Sequence, residues 1–219
     1  MFADFDFLVI RQAMPLLWSG MWITLQLTLV AICGGMVLGT LLALMRLSGI
    51  PGIPLVATGY VNFFRAMPLI LVIFWFYFLM PMLTGQALGG FSSVLIAFTL
   101  FEAAYYCEII RAGIQSVRRT QIQAGQALGL TYWQNMGYII LPQALRNMMP
   151  VLLTQGIVLF QDTSLVYVVG LKDFLTAADL VAVRDNRLVE LYMTAAVVYF
   201  VICLMGSQAV RRLQGRFAV

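Results

Sequence analysis

Residues 66–101 run for 36 positions without a charge, and residues 21–45 for another 25. No fold in water can hide such runs. A bilayer can, because about 20 mostly apolar residues in a helix cross its roughly 30 Å of hydrocarbon. Backbone groups find no water there, so each span must close its own hydrogen bonds as a helix. The expected fold is therefore all-α and polytopic. Composition agrees: 62% of the 219 residues are hydrophobic and 10% charged, where soluble domains lie near half and a quarter. Residues 21–45 form the first span. The 66–101 run is too long for one helix, and Pro81 with Gly85, Gly89 and Gly90 divides it. The division gives a second span at 60–80 and a third at 94–114; a fourth lies at 150–170 and a fifth at 191–210. The first run is too long for a signal-peptide core, and Asp4 and Asp6 stand where a basic leader would be, so no cleavage is expected.

Five spans put the termini on opposite sides, and the positive-inside rule chooses between them. With the N-terminus outside, the cytoplasmic segments hold Arg46, Arg111, Arg118, Arg119, Arg146, Arg211, Arg212 and Arg216, and no acid. The outer segments hold four bases (Arg11, Lys172, Arg184, Arg187) against six acids (Asp4, Asp6, Asp173, Asp179, Asp185, Glu190). The pI of about 9.1 thus concerns orientation, with no nucleic-acid partner expected. The chain has no histidine, which excludes Ser-His triads, histidine metal sites and imidazole catalysis. Cys33, Cys107 and Cys203 sit in apolar runs without C-x-x-C spacing and read as packing residues, so no metal site is expected.

Four ionisable residues remain inside spans: Arg65, Glu102, Glu108 and Asp162. Each costs at least ~2.5–3.5 kcal/mol at mid-membrane unless paired or hydrated. Counted from the span ends, Glu102 and Asp162 both lie about 12 Å deep. They fit either a shared polar cavity or two separate structural roles. Tyr105 and Tyr106 follow Glu102 by three and four residues and fall on its face. Thr163 and Ser164 carry hydroxyls beside Asp162, and their presence makes Asp162 the less favoured of the two acids as a direct ligand. Arg65, just before Pro68, could meet a carboxylate, although a structural pair with Asp162 or Glu108 is preferred for it. Glu108 and Arg111, three residues apart, read as a structural pair. Gly35-x-x-x-Gly39 reads as a close-packing seam.

Residues 115–148 form the longest stretch between spans. Thr120–Gln123 and Thr131–Gln134 each match a capping box, and Gly129 between them suits a left-handed turn. Two short helices at an angle are expected over about 120–140, stopped at Leu141-Pro142, with an interfacial amphipathic hairpin as the alternative. Gln123-Ala124-Gly125, Gly129, Ile139, Leu141 and Pro142 keep the spacing of the E-A-A-x3-G-x9-I-x-L-P loop. In this the chain resembles the permeases of bacterial ABC importers. Two positions depart, with Gln123 for Glu and Gly125 for Ala; the glutamine keeps capping geometry and loses the charge. The segments 62–68, 101–113 and 152–166 extend the likeness to the polar amino-acid branch, and within it to glutamate/aspartate importers, with glutamine as the alternative substrate. Gln161 stands where that branch commonly carries lysine.

The resemblance implies a type I permease fold in the bacterial inner membrane. Its implied partners are a second homologous permease, two ATPases that bind ATP and Mg, and an external solute-binding protein touching the 171–189 loop. It assigns ATPase coupling to Gln123, Ala124, Gly125, Gly129, Ile139, Leu141 and Pro142. The expected solute path comprises Glu102, Tyr105, Asp162, Thr163, Ser164 and Arg65. The chain has no G-x-x-x-x-G-K-[ST] loop, and its only lysine is Lys172, so it is not expected to hydrolyse ATP or to carry a cofactor of its own. An ion-coupled carrier using Glu102 and Asp162 lacks an internal inverted repeat. A membrane scaffold leaves the buried charges unexplained.

Overall fold

The computed structural model describes residues 5–86 and 88–217, and for residues 216 and 217 the backbone alone. Asp4 and the Arg216 side chain, both counted above, lie outside what is described. Every regular element is helical. Helix α1 (Phe7–Leu47) is capped by Asp6, which accepts the Leu8 amide at 2.8 Å. Helices α2 (Ile53–Arg65) and α3 (Leu69–Thr84) form a pair bent by 103°. Then come α4 (Gly90–Gln115), α5 (Arg119–Ala127), α6 (Tyr132–Val169), α7 (Phe174–Arg184) and α8 (Leu188–Phe217). Four of these, α1, α4, α6 and α8, are long and apolar enough to cross a membrane, and the bent pair meets the same test when its two helices are taken together, which gives four or five candidate crossings.

Helix α4 is the axis of the bundle, with α1, α2, α3 and α6 packed around it. The seam with α1 is set by glycine. A Cβ on Gly39 would stand 2.7 Å from Tyr106 Cβ and 2.9 Å from the Ala103 carbonyl, and one on Gly35 would stand 2.9 Å from Glu102 Cβ. Only hydrogen fits between these backbones. Phe98, Tyr106, Ile73 and Leu159 fill the core behind the seam, all fully buried. A second core joins the first half of α1 to α7 and α8 through Leu17, Phe174, Val181 and Leu191.

Four local expectations are corrected. The glycines at 85–90 divide the 66–101 run as expected, but Pro81 does not break the helix, and the second span is itself bent at Ala66–Pro68, since Pro68 lacks the amide an ongoing helix needs. Helix α3 passes Pro81 through a π turn at Trp75–Leu79, where the Met80 amide reaches back five residues to the Trp75 carbonyl, and ends at Gly85 with φ +69°. The same device carries α6 past Pro142, so Leu141-Pro142 stops nothing: a π turn at Met136–Ile140 places the Leu141 amide on the Met136 carbonyl. Thr120 caps nothing, because α5 starts two residues earlier than a cap at Thr120 would place it, with Arg118 as its N-cap. Finally, the 171–189 stretch is not a plain loop. Its α7 is anchored to α1 by the Phe174 amide, which donates to Thr24 Oγ1 at 3.1 Å.

Candidate functional site

Three groups of residues named from the sequence fall at three levels of the bundle. At the arginine-rich end, Glu108 gathers a guanidinium from each of three helices. Arg46 from α1 bonds its Oε1, and Arg111 from α4 donates to Oε2 at 2.7 and 3.1 Å. Arg65, at the end of α2, is the loose member, 3.5 Å from Oε1 and 43% exposed. Its guanidinium lies 5.5 Å from the centre of the Tyr105 ring, a cation–π contact. One carboxylate among three guanidiniums leaves two positive charges in excess. Arg65 is therefore paired with Glu108 and Tyr105, and Tyr105 also stacks on Phe101.

The middle level belongs to Glu102. It is fully buried, and its only hydrogen-bond partner among the described residues is Gln155 on α6, whose Nε2 donates to both carboxylate oxygens at 3.2 and 3.1 Å. The clasp joins α4 to α6. Beside it Tyr106 is buried with its hydroxyl unpartnered among the described residues. Glu102 thus lies level with Gln155, not with Asp162, which is two turns further along α6, about 10 Å at 1.5 Å per residue. The equal depth expected from the sequence came from counting from span ends that the long helices overrun.

Asp162 forms the third level. It is half-buried, and its carboxylate has no hydrogen bond or ion pair among the described residues. From Thr163 to Val169 the helix tightens into a 3₁₀ form. The Thr163 hydroxyl is spent on the Phe160 carbonyl at 2.7 Å. Ser164 opens with Gln161 into a crevice of about 330 Å³ against α8, which neither acid lines. A larger cavity of about 580 Å³ lies between α1, α4, α6 and α8, walled by Met36, Leu44, Met148, Leu152 and Ile157. Its apolar wall offers nothing to a charged solute.

The fourth group is the hairpin of α5 and the start of α6. Gly129 takes φ +77°, and Thr131 with Gln134 forms the full capping box. Asn135, 3% exposed, locks the hairpin by donating from Nδ2 to the Ile122 carbonyl at 2.9 Å. Its Oδ1 lies 2.5 Å from where a Gly125 Cβ would be. That oxygen is buried without a hydrogen-bond partner among the described residues, and a methyl at 125 would run into it, which accounts for glycine where the loop motif has alanine. Gln123, Ala124, Leu128, Tyr132 and Trp133 face outward, Trp133 at 79% exposure. Ile139 packs toward Gly125, while Leu141 and Pro142 are exposed. Sequence reasoning missed Gln155, Arg46 and Asn135 as working residues. A polar amide within the span 150–170 was the available signal for Gln155.

Residues 35–219 match the family described as binding-protein-dependent transport system inner membrane component. The glutamate/aspartate import permease protein GltK of Escherichia coli O6:H1 is 49% identical over 98% of this chain and 99% of its own length. The glutamine transport system permease protein GlnP of Escherichia coli K12 is 32% identical over 99% of both chains. Among solved structures, an amino acid ABC transporter crystallised with histidines superposes with a TM-score of 0.91 at 36% identity, over 96% of this chain and 98% of that one. The inward-facing MetNI methionine transporter shares the fold, with a TM-score of 0.76 at 20% identity over 94% and 98% of the two chains.

Proposed function

Because the chain belongs to the binding-protein-dependent inner-membrane permeases, and is an amino-acid ABC importer subunit rather than an enzyme, we propose that it carries glutamate and aspartate, paired with a second, homologous permease. The observation that carries the substrate is the full-length likeness to a glutamate/aspartate permease at 49%, against 32% to a glutamine permease. Two ATPase subunits binding MgATP dock on Leu128, Tyr132 and Trp133 of the hairpin, and a solute-binding protein delivers the amino acid at the opposite end. The N-terminus lies outside and the C-terminus in the cytoplasm. The arginine count supports this orientation, as does the Glu108 cluster lying at the hairpin end.

The solute path runs through Asp162, Thr163, Ser164, Glu102, Tyr105 and Arg65 as successive stations. Asp162 and Arg65 lie on opposite sides of the Glu102 level, about 20 Å apart by helical rise, too far for one amino acid to bridge. The free carboxylate of Asp162 meets the ammonium group that every amino acid carries. Ser164, whose hydroxyl has no hydrogen-bond partner among the described residues, is better able than Thr163, bonded to the Phe160 carbonyl, to donate to a carboxylate. The Glu102–Gln155 clasp closes α4 on α6 beneath that station. The under-neutralised arginines then attract the acidic solute on its way out. ATP binding contributes differential affinity for one state of this clasp, and rigid-body motion of the hairpin transmits it.

Vesicles holding the assembled importer and its binding protein test the reading. ATP-dependent uptake of glutamate and aspartate should exceed that of glutamine, and Asp162→Asn should lower uptake of each. Uptake driven by an ion gradient without ATP, or a preference for glutamine, would overturn it.

A further inference from the structure

From its start to Met148, the buried residues of α6 are Asn135, Ile140, Ala144 and Met148. Their spacings are five, then four and four. Each meets a fixed partner or neighbourhood. Asn135 bonds α5, Ile140 and Ala144 pack on Val117, and Met148 fills the notch at Gly113, whose Cβ would stand 2.8 Å from its own. An α-helix keeps one face with steps of three and four, so the five-residue step requires one extra residue. It coincides with the π turn at Met136–Ile140, and π turns are how a helix absorbs a single added residue. Pro142 follows directly. It has no amide to give the Tyr138 carbonyl, and its ring would clash with that carbonyl in a regular α register. Pro150, in the same helix, is passed without a π turn. Proline alone therefore does not demand one. At 142 the proline and the five-residue step act together.

We infer that the extra residue and Pro142 are a matched pair that sets the rotational phase of the hairpin relative to α6. The added residue aims the hairpin, and Pro142 blocks the competing α register. In that register the hairpin would turn by about 100° and its surface would move roughly 8 Å, carrying Trp133 off its present face. Pro142 is in this sense a positioning residue. The inference rests on the hairpin being the ATPase-docking element, and the test reads the two separately.

The assembled importer, with native cysteines replaced, carries spin labels at Gln121 and Arg146, both exposed. The otherwise unsubstituted chain should give one distance. Pro142→Ala should add a second population displaced by roughly 8 Å. Deleting Gly137, which has open space around it, while keeping Pro142→Ala should restore a single distance near the original, because the α register then has the correct phase. Stimulated ATPase activity should fall in Pro142→Ala by about the fraction of molecules rotated, and recover in the combined variant. A single unchanged distance in Pro142→Ala, or two populations in the combined variant, would overturn the inference. Distances that follow this pattern with ATPase unaffected would uphold it and sink the docking role instead.

Discussion

Restoring the loop motif by Gly125→Ala should weaken the hairpin, although alanine is the better helix former. Propensity alone favours the change by ~1 kcal/mol. Against it, the new methyl would sit 2.5 Å from Asn135 Oδ1 and 2.7 Å from Ile139 Cδ1. Ile139 can swing its terminal methyl aside. Asn135 is short, 3% exposed and tied to the Ile122 carbonyl, so it can yield only by giving up that bond. A lost hydrogen bond costs about 0.5–1.5 kcal/mol, and a buried amide left unsatisfied about 1–3 kcal/mol. The balance is a local loss of about 1–3 kcal/mol, raising the open population of the hairpin by roughly 5- to 150-fold. Hydrogen exchange at the Gln126–Gly129 amides of the assembled importer reads this directly. Adding Asn135→Ala should remove most of the penalty, because the obstructing oxygen is gone. If Gly125→Ala slows exchange, as propensity alone dictates, the assignment of Gly125 to the Asn135 contact is wrong.

Gly39→Ala drives its methyl against backbone atoms of α4 that cannot yield, so a loss of about 1–3 kcal/mol is expected. Gly59→Ala, in open space, should be neutral or slightly stabilising, and thermal melts in detergent that rank the two the other way would refute the seam. Asp173 caps α7 by accepting the Leu175 and Thr176 amides at 3.1 and 3.0 Å, yet burial outweighs these bonds and holds its carboxyl above the usual range. Folding therefore binds a proton, and stability falls as pH rises from about 4, the ordinary carboxylate value, through the raised one. Asp173→Asn should flatten that fall in melts across pH while keeping the cap, whereas Asp173→Ala should cost about 0.5–2 kcal/mol. For orientation, Ser116→Cys should resist an impermeant thiol reagent in intact cells and Lys172→Cys should react, both positions being exposed; reversed labelling would invert the topology.

The amino-acid sequence by itself determined that the chain lives in a membrane as helices, because uncharged runs of such length have no other solution. It also determined features that depend on a few adjacent residues. These are the capping box at Thr131, the left-handed Gly129 and the Gly35–Gly39 seam, each encoded where it acts. Glu108 and Arg111 were readable as a pair for the same reason, being one turn apart on one helix.

What only the tertiary structure decided are the relations between helices. Arg46 and Arg65 reach Glu108 from two other helices, and Gln155 finds Glu102 across 53 positions. Helix α7 is buried against α1, a placement its short length does not announce. The depth of Asp162 relative to Glu102 depends on where long helices cross, and span counting cannot supply that. Pro81 and Pro142 show the same limit locally. A proline forbids one hydrogen bond, but whether the helix breaks, as at Pro68, or passes through a π turn depends on which neighbours hold the chain on either side. Local physics lists the options for the backbone, and packing selects among them.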